Sequence, residues 1–174
     1  MNKQRIKFLL MALAIILVGI ALDQLTKWLS VAYLKPVGSV KLIPGVVSLT
    51  YVENRGAAFG MLAGKRWIFM AVSTLAILGM GGFLFTLKEK SETLLAVALS
   101  MIVSGGIGNM IDRIALGYVV DFIDVNPLLS HIHLSFAIFN GADSFVCVGA
   151  GILVLYYLLA WRKEEKAKKE TEAK

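Results

Sequence analysis

The stretch Phe8–Val31, FLLMALAIILVGIALDQLTKWLSV, decides the fold. Its apolar residues run far enough, at about 1.5 Å of rise per residue, to cross a hydrocarbon core of ~30 Å as one helix. Lys3, Arg5 and Lys7 precede it, and small residues lie at Gly19 and Ala21, which is also the pattern of a cleavable signal peptide. The apolar run is interrupted only by Asp23 and Lys27 before it resumes at Trp28, so an uncleaved first span is the better reading.

Outward from this stretch, three more apolar blocks follow, and the expected spans are 8–31, 67–87, 93–111 and 134–161. The whole chain of 174 residues is 57% hydrophobic and 17% charged, against roughly 45–50% and about 25% in soluble domains. That balance excludes a disordered chain and a nucleic-acid-binding arm, and the single cysteine, Cys147, excludes a disulfide scaffold. No repeat or low-complexity tract is visible. The fold class expected is an all-α membrane protein, a single domain of four transmembrane helices with a small extracytoplasmic β element.

The cations set an orientation. Lys3, Arg5 and Lys7 lie before span 1, Lys88 and Lys90 between spans 2 and 3, and Arg162, Lys163, Lys166, Lys168 and Lys169 after span 4. Both termini are therefore expected in the cytoplasm, with a charged cytoplasmic tail at 162–174. The opposite segments also carry Lys35, Lys41, Lys65, Arg66 and Arg113, so the bias is moderate. In the first outer segment, Val47, Leu49 and Tyr51 alternate with Ser48 and Thr50 between the turn signals Pro44-Gly45 and Asn54-Arg55-Gly56, which predicts an outer β element over about 38–62. The second outer segment, about 112–133, is apolar around its acids and is expected to lie on the membrane surface. In span 3, Ala96, Ser100, Ser104 and Gly108 form a small-residue stripe for close helix packing.

Ionisable groups inside a bilayer are costly and mark candidate sites. Asp23 and Lys27 lie roughly 21 and 27 Å up span 1 from Leu9, and Asp143 lies about 27 Å from Trp161. Asn109, Asp112 and Arg113 close the outer end of span 3, and Asn140 precedes Asp143 by three residues. Polar groups of three helices thus share the outer third of the bilayer. Asp23 with Lys27 also fits an intrahelical ion pair, and Asp112 with Arg113 a helix-end pair. Asp143 has no cation within four residues and must find a distant partner or hold its proton more tightly. Spacing alone leaves Asp121, Asp124 and Asp112 all open as that partner.

Two carboxyl groups at close range share a proton, so that one accepts from water while the other donates to a substrate carbonyl or leaving amine. That is aspartic-protease chemistry. HExxH, phosphate-loop and GxSxG motifs do not occur. His131 and His133 with Asp124 make a weak zinc set without a third clear ligand, and Ser104 and Cys147 read as packing residues rather than nucleophiles. The competing class is a small proton- or cation-coupled transporter component, against which stand the clustering of the acids near one surface and the lack of evident inverted repeats. A structural subunit, with every polar pair as interhelical glue, is the third reading.

Four motifs carry a resemblance to a known family: Glu53-Asn54-Arg55-Gly56-Ala57-Ala58-Phe59, Gly108-Asn109-Met110-Ile111-Asp112-Arg113, Val120-Asp121-Phe122 and Phe139-Asn140-Gly141-Ala142-Asp143-Ser144. With Asp23 in its Asp-Gln-Leu-Thr-Lys context, the chain closely resembles lipoprotein signal peptidase, also called signal peptidase II, over nearly its whole length. The resemblance implies an aspartic endopeptidase of the bacterial inner membrane that removes signal peptides from prolipoproteins, cutting just before a cysteine that carries diacylglyceryl. It implies Asp121 and Asp143 as the catalytic pair, choosing Asp121 over Asp124. The supporting residues it implies are Asp23, Lys27, Asn54, Asn109, Asp112, Arg113, Asn140 and Ala142, with Asn54, Asn109, Arg113 and Asn140 expected to bind peptide carbonyls. No metal or other cofactor is expected, the partners are prolipoproteins and membrane lipids rather than nucleic acid, and a monomer is expected. The stretch Asn126–His133 matches no motif, and Gly56–Phe59 with the β element is expected to close over the site.

Overall fold

The computed structural model describes residues 3–56, 66–87 and 92–172. Helix α1 (Lys3–Leu29) is rich in Leu, Ala and Ile, and its buried residues Phe8, Ala12, Gly19, Asp23 and Lys27 fall on one face. A wide turn, Ser30–Leu34, ends it, with Lys35 N donating to Ser30 O at 2.8 Å just before Pro36. Strands β1 (Ser39–Ile43) and β2 (Val47–Asn54) form the expected hairpin. Its turn puts Pro44 and Gly45 (φ 74°) at the centre, closed by Val46 N to Ile43 O at 3.0 Å, a type II arrangement in which glycine supplies the positive φ.

Helix α2 (Arg66–Leu84) leads to α3 (Thr93–Ala115), which ends at Leu116 and Gly117 (φ 83°). Strand β3 (Val119–Asp124) follows, then the single turn α4 (Asn126–Leu129), a 3₁₀ turn Ser130–Ile132, and the long helix α5 (Gly141–Glu172). The sheet order is β1-β2-β3, antiparallel throughout, with Val52 opposite Asp121 and Asn54 opposite Val119.

Two of these elements depart from the sequence reading. Within the expected outer segment, 119–124 is a strand paired with β2, an element the sequence did not suggest; its run Val-Val-Asp-Phe lacks polar alternation because all four residues are buried. Helix α5 starts at Gly141, not at 134, since the chain before it runs extended beside β3, with Phe139 O accepting from Ile123 N at 2.7 Å. Lys88, Lys90 and the 57–62 part of the expected β element lie outside the described residues.

Three helical stretches, Lys3–Leu34, Thr93–Ala115 and Gly141–Glu172, are long and apolar enough to cross a membrane, and a shorter apolar helix covers Met70–Leu84. Helix α3 is central, packed on α1, α2 and α5. Its small residues permit this: a Cβ on Gly105 would meet Ala142 O at 2.2 Å, one on Gly149 would meet Ala98 O at 2.8 Å, and Gly19 faces Ser104. Ala96, Ser100 and Ser104 are fully buried along the same helix, so the stripe is the packing seam its spacing suggests. At one end of the bundle Phe8, Leu84, Leu87, Leu95 and Leu99 form a core, and Arg5 donates to Leu87 O and Phe85 O there. At the other end Leu34, Val120 and Phe122 seat the sheet on the helices.

Candidate active site

The site forms where β3 crosses the outer ends of α1, α3 and α5. Asn140 is the N-cap of α5, and Asp143 is its third residue. Asp143 N donates to Asn140 Oδ1 at 2.9 Å, and Asn140 N donates to Asp143 Oδ2 at 3.2 Å. This reciprocal pair is a capping box built from Asn and Asp. The three-residue spacing seen in the sequence is therefore a cap rather than two positions on one helix face. Asn140 also reaches across to β3 and α3: its Nδ2 donates to Asp121 Oδ1 at 2.7 Å and to Asn109 Oδ1 at 3.1 Å. Asn109 Nδ2 in turn donates to Asp143 Oδ1 at 2.7 Å, and Asn54 Nδ2 to Asp121 Oδ2 at 2.9 Å.

Asn54 is aimed by its own turn, in which Oδ1 accepts from Gly56 N at 3.1 Å. Both carboxylates are thus held by amides, with Asn140 touching each. Asp121 is 2% exposed, and burial pushes its carboxyl up to about 6. The Asn54 amide opposes that shift, the like charge of Asp143 adds to it, and Asn140 and Lys27 oppose it. Arg113, whose Nη1 donates to Asn109 O at 3.2 Å, places its positive charge within reach of Asp143, Asp121 and Asp112.

Behind this pair lies a buried ionic knot. Lys27 Nζ sits 2.9 Å from Asp23 Oδ2, 3.1 Å from Asp112 Oδ2 and 2.9 Å from Asn109 Oδ1, and all three ionised side chains are at most 4% exposed. Asp23 Oδ1 accepts from Ala142 N at 2.8 Å, satisfying a second amide at the start of α5, and Asp112 Oδ2 accepts from Val120 N at 3.0 Å, pinning β3. Asp112 is tied to Lys27 as well as lying within reach of the Arg113 charge, so it belongs to the knot and is more than half of a helix-end pair. Gly108 is small because Asp23 and the Ala142 methyl lie against it; a Cβ there would meet Asp23 Oδ2 at 2.5 Å and Ala142 Cβ at 3.3 Å.

The ten site residues that the resemblance implies fall in this one network. Their amides differ from expectation in role, since Asn54, Asn109 and Asn140 are engaged by carboxylates. Asp124 is outside the network. Three residues from Asp121 on a strand, it faces the other way, and its oxygens accept from Asn126 N and Nδ2 at 3.0 and 2.7 Å and from Thr50 Oγ1 at 3.2 Å rather than facing a histidine. Sequence reasoning missed Gln24, whose Nε2 lies 3.1 Å from both Gly108 O and Asp112 Oδ1. Its neutral side chain, next to Asp23 but off the Asp23–Lys27 direction, carried no signal of its own.

A buried Asp121 and a half-buried Asp143, wired to a buried ionic knot at one end of an apolar helical bundle, form an acid pair of the kind that a membrane enzyme can use to move protons. Two solved structures described as bacterial membrane enzymes, obtained by the in meso method at 2.3 and 1.9 Å resolution, share the fold. Both superpose with a TM-score of 0.73, at 32 and 31% identity, covering 85% of this chain and 87 and 92% of theirs. The family model described as signal peptidase (SPase) II matches residues 15–159. Lipoprotein signal peptidases of Symbiobacterium thermophilum and Halalkalibacterium halodurans are each 43% identical, over 88 and 90% of this chain and 98 and 96% of their own. The chain belongs to the signal peptidase II family.

Proposed function

We propose that the chain is an intramembrane aspartic endopeptidase that removes the signal peptide from diacylglyceryl-modified bacterial prolipoproteins, cutting immediately before the lipidated cysteine. The observation that carries this reading is the shared partner: Asn140 donates through its side-chain amide to Asp121 and through its backbone N–H to Asp143, which keeps two like-charged groups in one small space. Such a pair holds one proton between them. A water molecule between the carboxyl groups gives its proton to the ionised one as its oxygen attacks the carbonyl carbon preceding the cysteine. The protonated carboxyl donates to the carbonyl oxygen, making a tetrahedral diol. A proton then passes to the amide nitrogen, the C–N bond breaks, and the new carboxyl and amino ends leave. Asn54, Asn109 and Asn140 orient the two acids, Arg113 binds peptide carbonyls, and the Asp23–Lys27–Asp112 knot holds the three helices and β3 in register.

In the membrane, α1, α2, α3 and α5 each cross once, with both termini cytoplasmic and the sheet at the extracytoplasmic face of the inner membrane. The nineteen residues of α2 rise about 28 Å, and Arg5 bonds the carbonyls at its end, which puts that end level with the start of α1. The substrate enters sideways from the bilayer, its acyl chains remaining in lipid. The hairpin with Gly56 closes over it; Ala57–Phe59, the rest of that expected lid, lie outside the described residues. One chain supplies every site residue, so a monomer suffices.

The test is release of signal peptide from a lipidated prolipoprotein by the purified full-length protein in detergent. Asp121→Asn and Asp143→Asn each lower the rate by at least about 10²-fold, Asp124→Asn retains most activity, and unlipidated substrate is not cut. An active Asp121→Asn beside an inactive Asp124→Asn overturns the assignment.

A further inference from the structure

Between β3 and α5 lies a segment that the chemistry above does not use. We infer that residues 128–136 form an apolar foot that inserts into the outer leaflet at the boundary between lipid headgroups and acyl chains. Leu128, Ile132, Leu134 and Phe136 are 49, 62, 60 and 49% exposed within nine residues of chain. One exposed leucine on a protein surface is ordinary, but four large apolar side chains together call for a cover.

The segment is built rather than slack. Asn126 Nδ2 donates to Phe136 O at 2.9 Å, and Phe136 N donates back to Asn126 Oδ1 at 2.8 Å, closing the loop at its base. His133, at φ 55°, turns the chain after the 3₁₀ turn, and the Phe136 and Phe139 rings pack edge to face at 5.9 Å.

Two observations make lipid the occupant. No Asp, Glu, Lys or Arg occurs between Asp124 and Asp143, so nothing charged steers a soluble partner to this surface or keeps it in water. The segment also runs straight into α5, whose outward residues Val148, Val154, Leu155 and Leu158 are exposed apolar side chains on a helix long enough to span the bilayer. The foot therefore continues the lipid-facing surface of α5. Trp28 and Tyr33, 60 and 69% exposed and in edge contact where α1 passes into the Ser30–Leu34 turn, are aromatic side chains of the kind enriched at membrane interfaces. Because Asn126 ties the foot to the strand end and Phe139 ties the following chain to Ile123, an inserted foot holds Asn140 at a set depth. This placement is independent of the peptidase chemistry.

The experiment uses the full-length protein carrying Cys147→Ser, with Ile132→Cys or Leu134→Cys labelled by a nitroxide. It is reconstituted in phosphatidylcholine–phosphatidylglycerol vesicles, with Leu155→Cys as the lipid-facing control and Glu164→Cys as the aqueous one. Labels at 132 and 134 are expected to collide more with oxygen than with a water-soluble nickel chelate, as at 155, whereas the chelate dominates at 164. Chelate-dominated collisions at both foot positions, or shielding of both from either reagent, overturn the inference.

Discussion

Replacing Asn140 separates the two tasks that the site gives one side chain. Asn140→Ala removes the N-cap of α5, which costs about 1 kcal/mol, and the hydrogen bond from its amide to the Asp121 carboxylate, worth about 1.5–3 kcal/mol. Stability should therefore fall by about 2.5–4 kcal/mol. Asn140→Ser keeps a good capping oxygen but is too short to bridge to β3, so it should recover about 1 kcal/mol of that loss. Both variants should move catalysis in the same direction. The Asn140 amide favours ionised Asp121, so its loss raises that carboxyl further, and the limb of the pH–rate profile governed by Asp121 shifts to higher pH. Denaturant unfolding in detergent and the pH dependence of peptide release read the two effects separately. A loss of less than about 0.5 kcal/mol in Asn140→Ala, or an unmoved limb in Asn140→Ser, refutes the bridging role.

Other perturbations follow from the same geometry. Asp121 titrates at about 6 when folded against an ordinary 3.8; between these values the folded protein binds more protons than the unfolded one. Its contribution therefore makes stability fall as pH rises through that window, by up to about 3 kcal/mol, and pH-dependent unfolding of Asp121→Asn should lack this decline. Glu53, held down at about 2 by hydrogen bonds from Lys35 and Arg55, acts in the opposite direction at lower pH, losing its stabilising effect as pH falls below 4.5. Lys27→Met leaves Asp23 and Asp112 buried without their cation and should cost about 3–5 kcal/mol in unfolding measurements, part of which Asp23→Asn in the same chain restores. Gly105→Ala drives a methyl onto Ala142 O and should destabilise by about 1–3 kcal/mol; an unchanged unfolding midpoint would show that α3 and α5 are less tightly apposed.

The capping box gives the site a physical economy. A helix N-terminus presents unpaired amides and a positive dipole end, and here it gathers acids. Asp143 closes the cap on Asn140, and Asp23, from another helix, takes the next amide at Ala142. Stability of α5 and placement of the acid pair are thus one arrangement, and a substitution at Asn140 disturbs both.

Much of this was legible from the chain alone, for a reason rooted in lipid. Apolar runs of span length and the few polar and ionisable residues that interrupt them stand out because each such interruption is costly in hydrocarbon. Asp23, Lys27, Asn109, Asp112, Asn140 and Asp143 could be found on that ground, as could the hairpin around Pro44-Gly45 from its alternation and turn residues. Asp121 could not be told from Asp124. Only pairing with β2 puts Asp121 opposite Val52 with its carboxylate toward Asn54 and Asn140, while Asp124 turns to Asn126 and Thr50. Strand register depends on which backbone groups meet between segments distant in the chain, as Val52 meets Asp121. Local composition carries the cost of burying a charge, whereas the partner that meets that cost is set by the tertiary fold.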